Sequence, residues 1–378
     1  MIRVLQFADI VNQHDFIHSI VVNADAREFE LSVAVREERS NIAAPVYPEH
    51  TKKFLVPGRG RSNLFQSARK LGRILREEKI DILHTHHYDQ AMIGALAVRH
   101  SPQTKFIFGR HYCYNLYRIP GMVKRNLFLA GERWADRKAR RIIVPAQTIR
   151  DILVHQGIDS KKIDVVPYGF VPEKYASVAQ GTDVAALRKE LNSQDKFIFA
   201  TFARLHDEKG HRYILEALKT VLRERPDAVL WIVGDGTHRS SVEEKIRSLG
   251  LQDSVRMLGW RRDAMQLMTA ADVVLHASLV DAFCQIMGEA MWMKKPLIIS
   301  RVVGALDIIQ SGVNGILVPL ADSSSLAAAM LQVANDASLR ARLSANGAEY
   351  VRRELSLEKA MERYQDSYRK AMTETHES

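Results

Sequence analysis

Two doubly wound parallel-sheet α/β domains are expected for this 378-residue chain, on three observations. Short apolar runs alternate with helix-period segments from end to end. The length suits two domains. A stretch punctuated by Pro and Gly, Val166-Pro167-Tyr168-Gly169-Phe170-Val171-Pro172, offers a place to divide them.

Taken in order, the first-half runs are Ile2–Ala8, Phe29–Val35, Ile80–Thr85, Phe106–Gly109, Arg141–Pro145 and Ile163–Pro167. The second-half runs are Phe197–Ala203, Ala228–Val233, Val255–Gly259, Val273–His276, Leu297–Ser300 and Ile316–Val318. Strands separated by helices imply a parallel sheet with right-handed crossovers in each half. The expected domains are residues 1–168 and 169–356, with the polar stretch Ala176–Thr182 extending the connection between them. A last helical segment, Leu357–Met372, follows the second sheet.

Apolar residues make up 46% and charged residues 26%, an ordinary globular balance. No apolar run reaches the length of a membrane span. Met1–Ala8 turns polar too soon for a signal peptide and reads as a first strand. Cys113 and Cys284 fall in different expected domains, which argues against a disulfide and for a reducing cytoplasm. The net charge of +10 is one-sided. Residues 1–165 hold 27 Lys/Arg against 17 Asp/Glu, while the remainder hold 27 of each. Clusters stand at Lys52-Lys53, Arg59 and Arg61, Arg69 to Arg76, Arg118 to Arg125, and Arg133 to Arg141. Such a face suits an anionic membrane, an anionic acceptor or nucleic acid, or it is a set of solvated helix faces.

The most informative segment is Asp281-Ala282-Phe283-Cys284-Gln285-Ile286-Met287-Gly288-Glu289. Two carboxylates stand eight residues apart, across a turn and the start of a helix, just after the strand ending at His276. A carboxylate at the carboxyl edge of an open α/β sheet can grip sugar hydroxyls, and a helix N-terminus offers N–H groups to phosphate. Arg204-Leu205-His206-Asp207-Glu208-Lys209-Gly210 follows the first strand of the same half and places two cations where a departing diphosphate needs them. Gly234-Asp235-Gly236 ends the next strand, and Val255–Trp260 the one after.

These segments resemble the retaining glycosyltransferases of family 4, which have the GT-B fold. The family's Glu-x7-Glu region reads Glu-(Ser/Gly)-Phe-Gly-x4-Glu-Ala. Here the spacing, Phe283 and Glu289 are kept, while Asp281 replaces the first Glu and Cys284 the Gly. The Arg-x4-Lys-Gly segment is also kept. The resemblance implies two Rossmann-like domains facing across a cleft, the last helix returning to the first, and a nucleotide-sugar donor held by the second. It implies that Glu289 takes the ribose hydroxyls, that Asp281 holds the donor sugar, and that Arg204 and Lys209 neutralise the diphosphate. Backbone around Phe283, Cys284 and Gln285 would contact sugar and phosphate. Gly234 would let backbone approach the nucleotide, and Trp260 would stack on the base or sit buried as a structural residue.

In the first half, the resemblance assigns His111 to the catalytic set and places His84 and His86 on the acceptor side. His14 lies in a first loop that departs from the family's Gly-Gly. A metal at His84 and His86 is the rival reading, and it lacks further ligands nearby. No cofactor and no metal are implied. The implied acceptor is a glycan or lipid-linked molecule, with docking on anionic membrane through Lys52–Arg76 and Arg118–Arg141, and no nucleic acid.

A nicotinamide dehydrogenase would need Gly-x-Gly-x-x-Gly after the first strand, and Phe7-Ala8-Asp9-Ile10 is followed by none. A nucleic-acid-binding protein would account for the basic half but not for Arg204–Lys209 or Asp281–Glu289. A sucrose- or phosphorylase-type GT-B enzyme and a catalytically silent relative stay open.

Overall fold

The computed structural model describes residues 1–9, 16–36, 46–56, 63–112 and 119–373. It divides into two compact units, Met1–Gly169 with Leu357–Ser378, and Phe170–Ser356. The first holds seven parallel strands: β1 (Ile2–Ala8), β2 (Phe29–Val35), β3 (Lys53–Leu55), β4 (Ile82–His86), β5 (Lys105–Gly109), β6 (Arg141–Val144) and β7 (Ile163–Val165). Their order across the sheet is β3-β2-β1-β4-β5-β6-β7. The second holds β8 (Phe197–Phe202), β9 (Ala228–Val233), β10 (Val255–Gly259), β11 (Val273–His276), β12 (Leu297–Ser300) and β13 (Ile316–Val318), in the order β10-β9-β8-β11-β12-β13. Both are doubly wound, and each reverses direction beside its first strand.

Successive residues of a strand face opposite sides, so each sheet needs two cores. In the second unit Phe199, Leu230 and Ile232 pack with Leu215 and Leu218 of the helix His211–Val221 and with Met330 of the helix Ser323–Asn335. Their neighbours Ile198, Val229 and Trp231 pack on Leu267 from the other side. In the first unit Val4, Leu31 and Ile82 bury against Tyr364 and Tyr368 of the helix Leu357–Thr373. The last helix of the chain therefore returns to the first unit, whose core is incomplete without it.

Two local expectations change. Lys53–Leu55 forms an edge strand that its sequence hides, because it is short and both end residues are exposed. The expected connection Ala176–Thr182 lies mostly within a helix, Pro172–Gly181, because Tyr175 finds a buried place beside Phe170 and Trp292.

Candidate functional site

In a doubly wound sheet ligands gather beyond the carboxyl ends of the strands on either side of the reversal. In the second unit those strands are β8 and β11, and the loops that follow them carry Arg204–Lys209 and Asp281. The two loops are fastened to each other. Leu279 N and Ser278 Oγ both donate to Glu208 O, at 2.7 and 3.1 Å. Gly210 has φ +67°, and a Cβ there would fall 2.0 Å from Ala277 O. No other residue permits this approach.

The functional groups converge at this fastening. Lys209 Nζ donates to Asp281 Oδ2 at 2.8 Å, and His276 Nε2 stands 3.2 Å from the same oxygen. Burial would raise the Asp281 carboxyl, but His276 and Lys209 outweigh it and hold the pKa below its ordinary value. Asp281 is thus a fixed anion. The buried imidazole of His211 is lowered to about 4 by burial, with the nearby His276 and Lys209 adding to the shift. Cys284 is a free, buried thiol, pushed well up by burial and by the Asp281 charge. His276, Asp281 and Cys284 each bring a ligand atom within 4.8 Å of the others, the one such grouping found among the described residues. The rival reading of a metal at His84 and His86 finds no such grouping among the described residues.

Arg204 is exposed and forms no ion pair with any described residue. Its loop is braced by the Gly234–Gly236 turn. Ala203 N donates to Val233 O and Leu205 N to Asp235 O, both at 3.0 Å. Gly234, at φ +140°, would place a Cβ 2.0 Å from Ala203 O. The close backbone approach expected at Gly234 is therefore made to Ala203, within the protein. Trp260 follows β10 and is 70% exposed, which overturns the buried structural alternative. Arg262 lies 6.0 Å from its ring.

Cys284 is the N-cap of the helix Gln285–Trp292, so Phe283, Cys284 and Gln285 stand at its amino end and Glu289 one turn inside. Phe283 is buried and Gln285 is exposed. Glu289 is half-buried, and its charge adds to burial in pushing the Tyr175 hydroxyl up.

In the first unit the reversal lies between β1 and β4. Six side chains there form one hydrogen-bonded chain. Tyr168 Oη lies 3.0 Å from His111 Nδ1, and His111 Nε2 lies 3.0 Å from His86 Nδ1. His86 Nε2 meets Gln6 Oε1 at 2.8 Å, Gln6 Nε2 donates to Tyr368 Oη at 2.9 Å, and Tyr368 Oη meets His84 Nδ1 at 3.0 Å. Burial drives His84 down to about 3 and His86 and His111 well below the usual imidazole value, so all three are neutral. Phe16 packs on His111 and Tyr168, at 4.4 and 4.6 Å between ring centroids. Gly109 makes the room, since a Cβ would lie 2.6 Å from His111 Nε2 and 3.0 Å from His84 Nε2.

Both ring nitrogens of His111, expected in the catalytic set, are engaged, one by His86 and one by Tyr168. His84 and His86 are wholly buried and offer no surface to an acceptor. The exposed imidazole of the cluster is His87, at φ +69° and ψ 175°, a strained backbone for a side chain with a Cβ. His14 and Cys113 lie outside the described residues. Sequence reasoning missed His276, His211, His87 and Gln6. Only His276 carried a signal, as a polar residue closing an otherwise apolar strand.

Comparison with known proteins agrees with this geometry. Residues 183–350 match the family model of glycosyl transferases group 1, and residues 15–174 that of glycosyltransferase family 4. The chain is 25% identical over 318 residues to the UDP-Gal:alpha-D-GlcNAc-diphosphoundecaprenol alpha-1,3-galactosyltransferase of Escherichia coli, covering 82% of this chain and 81% of that protein. It is 31% identical over 174 residues to the lipopolysaccharide core biosynthesis glycosyltransferase LpsD of Rhizobium meliloti, covering 46% of this chain and 50% of that one. HepE of Anabaena, solved in complex with UDP, superposes with a TM-score of 0.82 at 20% identity over 98% of this chain and 100% of its own. Two family models that together span most of the chain, on two doubly wound sheets with a returning helix, place the protein among the family 4 glycosyltransferases of GT-B fold.

Proposed function

We propose that the protein transfers a sugar from a UDP-sugar to a hydroxyl of a lipid-linked or glycan acceptor in cell-envelope polysaccharide or lipopolysaccharide synthesis, with retention at the anomeric carbon and without a metal. The Lys209–Asp281 pair at the reversal of the second sheet, with Arg204 exposed at the start of the same loop as Lys209, carries the reading. Arg204 and Lys209 neutralise charge as it grows on the leaving diphosphate, worth about 2–4 kcal/mol of barrier for each such group. Asp281, held ionised by Lys209 and His276, accepts hydrogen bonds from donor-sugar hydroxyls. Glu289 takes the ribose hydroxyls, and the exposed Trp260 stacks on the base. Same-face transfer asks no protein nucleophile. The leaving phosphate takes the acceptor proton while the sugar passes through an oxocarbenium-like state.

The relatives support the choice of substrates. The E. coli protein is named for a UDP-galactose donor and a diphosphoundecaprenol acceptor, and HepE was solved with UDP. The test is a thermal-shift screen of UDP-, GDP- and ADP-sugars, followed by turnover and anomeric analysis with the stabilising donor. Stabilisation by UDP-sugars and an α-linked product from an α-linked donor are expected. An inverted product would sink the mechanism. In the same assay Asp281→Asn lowers kcat more than it raises the donor KM, because its contact matters most as charge develops. Equal turnover would leave Asp281 a scaffold residue.

The acceptor proposal extends to the membrane. The helix Leu64–Glu77 exposes Phe65, Arg69, Lys70, Arg73 and Arg76, and the helix Met122–Lys138 exposes Met122, Val123 and Leu127 beside Lys124. Apolar tips among cations suit shallow insertion into an anionic leaflet. Co-sedimentation with anionic vesicles that weakens with salt is expected, and binding indifferent to lipid charge would remove the idea.

A further inference from the structure

One basic region belongs to neither reversal site. At the amino edge of the first sheet, opposite the histidine chain, an open pocket of about 280 Å³ is lined by five cations: Lys105, Arg137, Lys138, Arg140 and Lys162. The sheet order explains the convergence. Lys105 begins β5, Arg140 immediately precedes β6, Lys162 immediately precedes β7, and these three strands are adjacent. Arg137 and Lys138 close the helix Met122–Lys138, whose end reaches the same edge. In a parallel sheet the two edges hold separate sites. Across β5, five residues at about 3.3 Å each put roughly 16 Å between this pocket and the carboxyl edge.

The five charges are uncompensated. No carboxylate lines the pocket, and none of the five forms an ion pair with a described residue. Arg140 Nε is buried without a hydrogen-bond partner, a donor that ordinarily costs about 1–3 kcal/mol to leave unmet. Helix-end chemistry accounts for two of the cations, because Lys and Arg in a last turn complement the helix dipole. It does not account for Lys105, which starts a strand, or for Arg140 and Lys162, each of which stands just before one. Elsewhere in this unit buried cations are matched: Arg110 by Glu132 and Asp136, and Arg141 by Asp164. The contrast marks the pocket as a place where charge is left for a ligand. The volume sits at the lower end for ligand sites and suits a phosphate or diphosphate group better than a whole nucleotide sugar.

We propose that this pocket is a second anion site, specific for a phosphate or diphosphate group and separate from the donor site. The group arrives either as the free anion or as the headgroup of an anionic phospholipid. Neither the donor assignment nor the membrane assignment is needed for it. Arg140 supplies a fixed guanidinium fork, and the four neighbours supply field and mobile donors.

The test is titration of the full chain with inorganic pyrophosphate, followed by calorimetry, on five proteins: the wild type, three paired variants and Arg204→Ala. Arg140→Gln/Lys162→Gln removes two pocket charges, and Lys138→Gln/Lys162→Gln repeats this with residues nearer solvent in case Arg140 also supports folding. Arg352→Gln/Arg353→Gln removes equal charge from an exposed helix end of the second unit. Both pocket pairs are expected to weaken pyrophosphate binding by at least about tenfold, roughly one charge-assisted contact, while the Arg352/Arg353 pair stays near wild type. Flotation with phosphatidylglycerol vesicles then separates the sources. Pocket-dependent flotation that pyrophosphate competes away assigns a headgroup, and pyrophosphate binding without such flotation assigns the free anion. Equal losses in all three paired variants would reduce the site to general surface charge. Binding untouched by either pocket pair but abolished by Arg204→Ala would place the anion in the second unit alone, and both results overturn the proposal.

Discussion

The carboxyl edges of the two sheets are built on one plan and use their polar groups in opposite ways. At the reversal of the first sheet, six polar side chains hydrogen-bond to one another in one neutral, largely buried chain from Tyr168 to His84. At the reversal of the second, Lys209, Asp281 and His276 meet at one carboxylate oxygen, and Arg204 stands exposed at the start of the loop that carries Lys209. The first arrangement fixes a fold; the second holds charge ready for charge. Topology sets where polar groups can gather, and solvent access decides whether they become scaffold or chemistry.

Acid should separate the two edges most strongly. His84 and His86 are wholly buried with lowered pKa values, so the unfolded chain binds protons that the folded one refuses. Stability is then present above about pH 6.5 and falls on acidification by about 1.4 kcal/mol per pH unit for each histidine. For His84 the loss ends near its folded value of about 3. Asp136, raised to about 6 by burial that outweighs Arg110, works the other way and offsets part of the loss. In the second unit only His211 is lowered in this way among the described residues. Hydrogen exchange between pH 7 and 5 should therefore show β1, β4 and β5 losing protection before β8, β9 and β11. Simultaneous loss, or the reverse order, would break the comparison.

Next in size is a paired substitution. Lys209→Ala should cost about 2–4 kcal/mol of barrier, roughly 30- to 900-fold in kcat, with little change in unfolding midpoint. Gln6→Leu should do the converse. It strands His86 Nε2 in the core and leaves Tyr368 Oη with His84 alone, at a cost of about 1–3 kcal/mol in stability, with turnover near wild type. Urea unfolding and steady-state kinetics on both proteins check the pair. If Gln6→Leu lost turnover as Lys209→Ala does, the histidine chain would belong to the chemistry.

The smallest effect sharpens the second edge alone. Trp260→Ala should change stability by less than about 0.5 kcal/mol, because the ring is exposed. It should weaken UDP binding by about 1–3 kcal/mol if the ring stacks on a base. Unchanged UDP affinity by calorimetry would remove Trp260 from the donor site.

The sequence disclosed these two edges unequally. A strand such as Ala228–Val233 is apolar along its length because helices cover both faces, so its bounds could be read directly. Arg204–Lys209 and Asp281–Glu289 were legible as spaced charges beside strand ends. His276 was not, because its tie to Asp281 depends on how the loop turns back. The histidine chain was hidden for a different reason. Gln6 and Tyr368 are 362 residues apart, and only the return of the last helix brings them within 2.9 Å. Trp260 could be read either way, since an aromatic residue after a strand is as often core as surface.

Gln6 has one further consequence. Imidazoles and hydroxyls can each donate or accept at either end, but an amide has one end of each kind. With Oε1 toward His86, the neutral rings must order themselves in sequence. His86 gives its proton to Gln6, His111 gives to His86, and Tyr168 gives to His111. Turned over, the amide would reverse every link and free the Tyr168 hydroxyl proton. A single half-rotation deep in the first unit thus determines whether Tyr168 presents a proton or a lone pair at the other end of the chain.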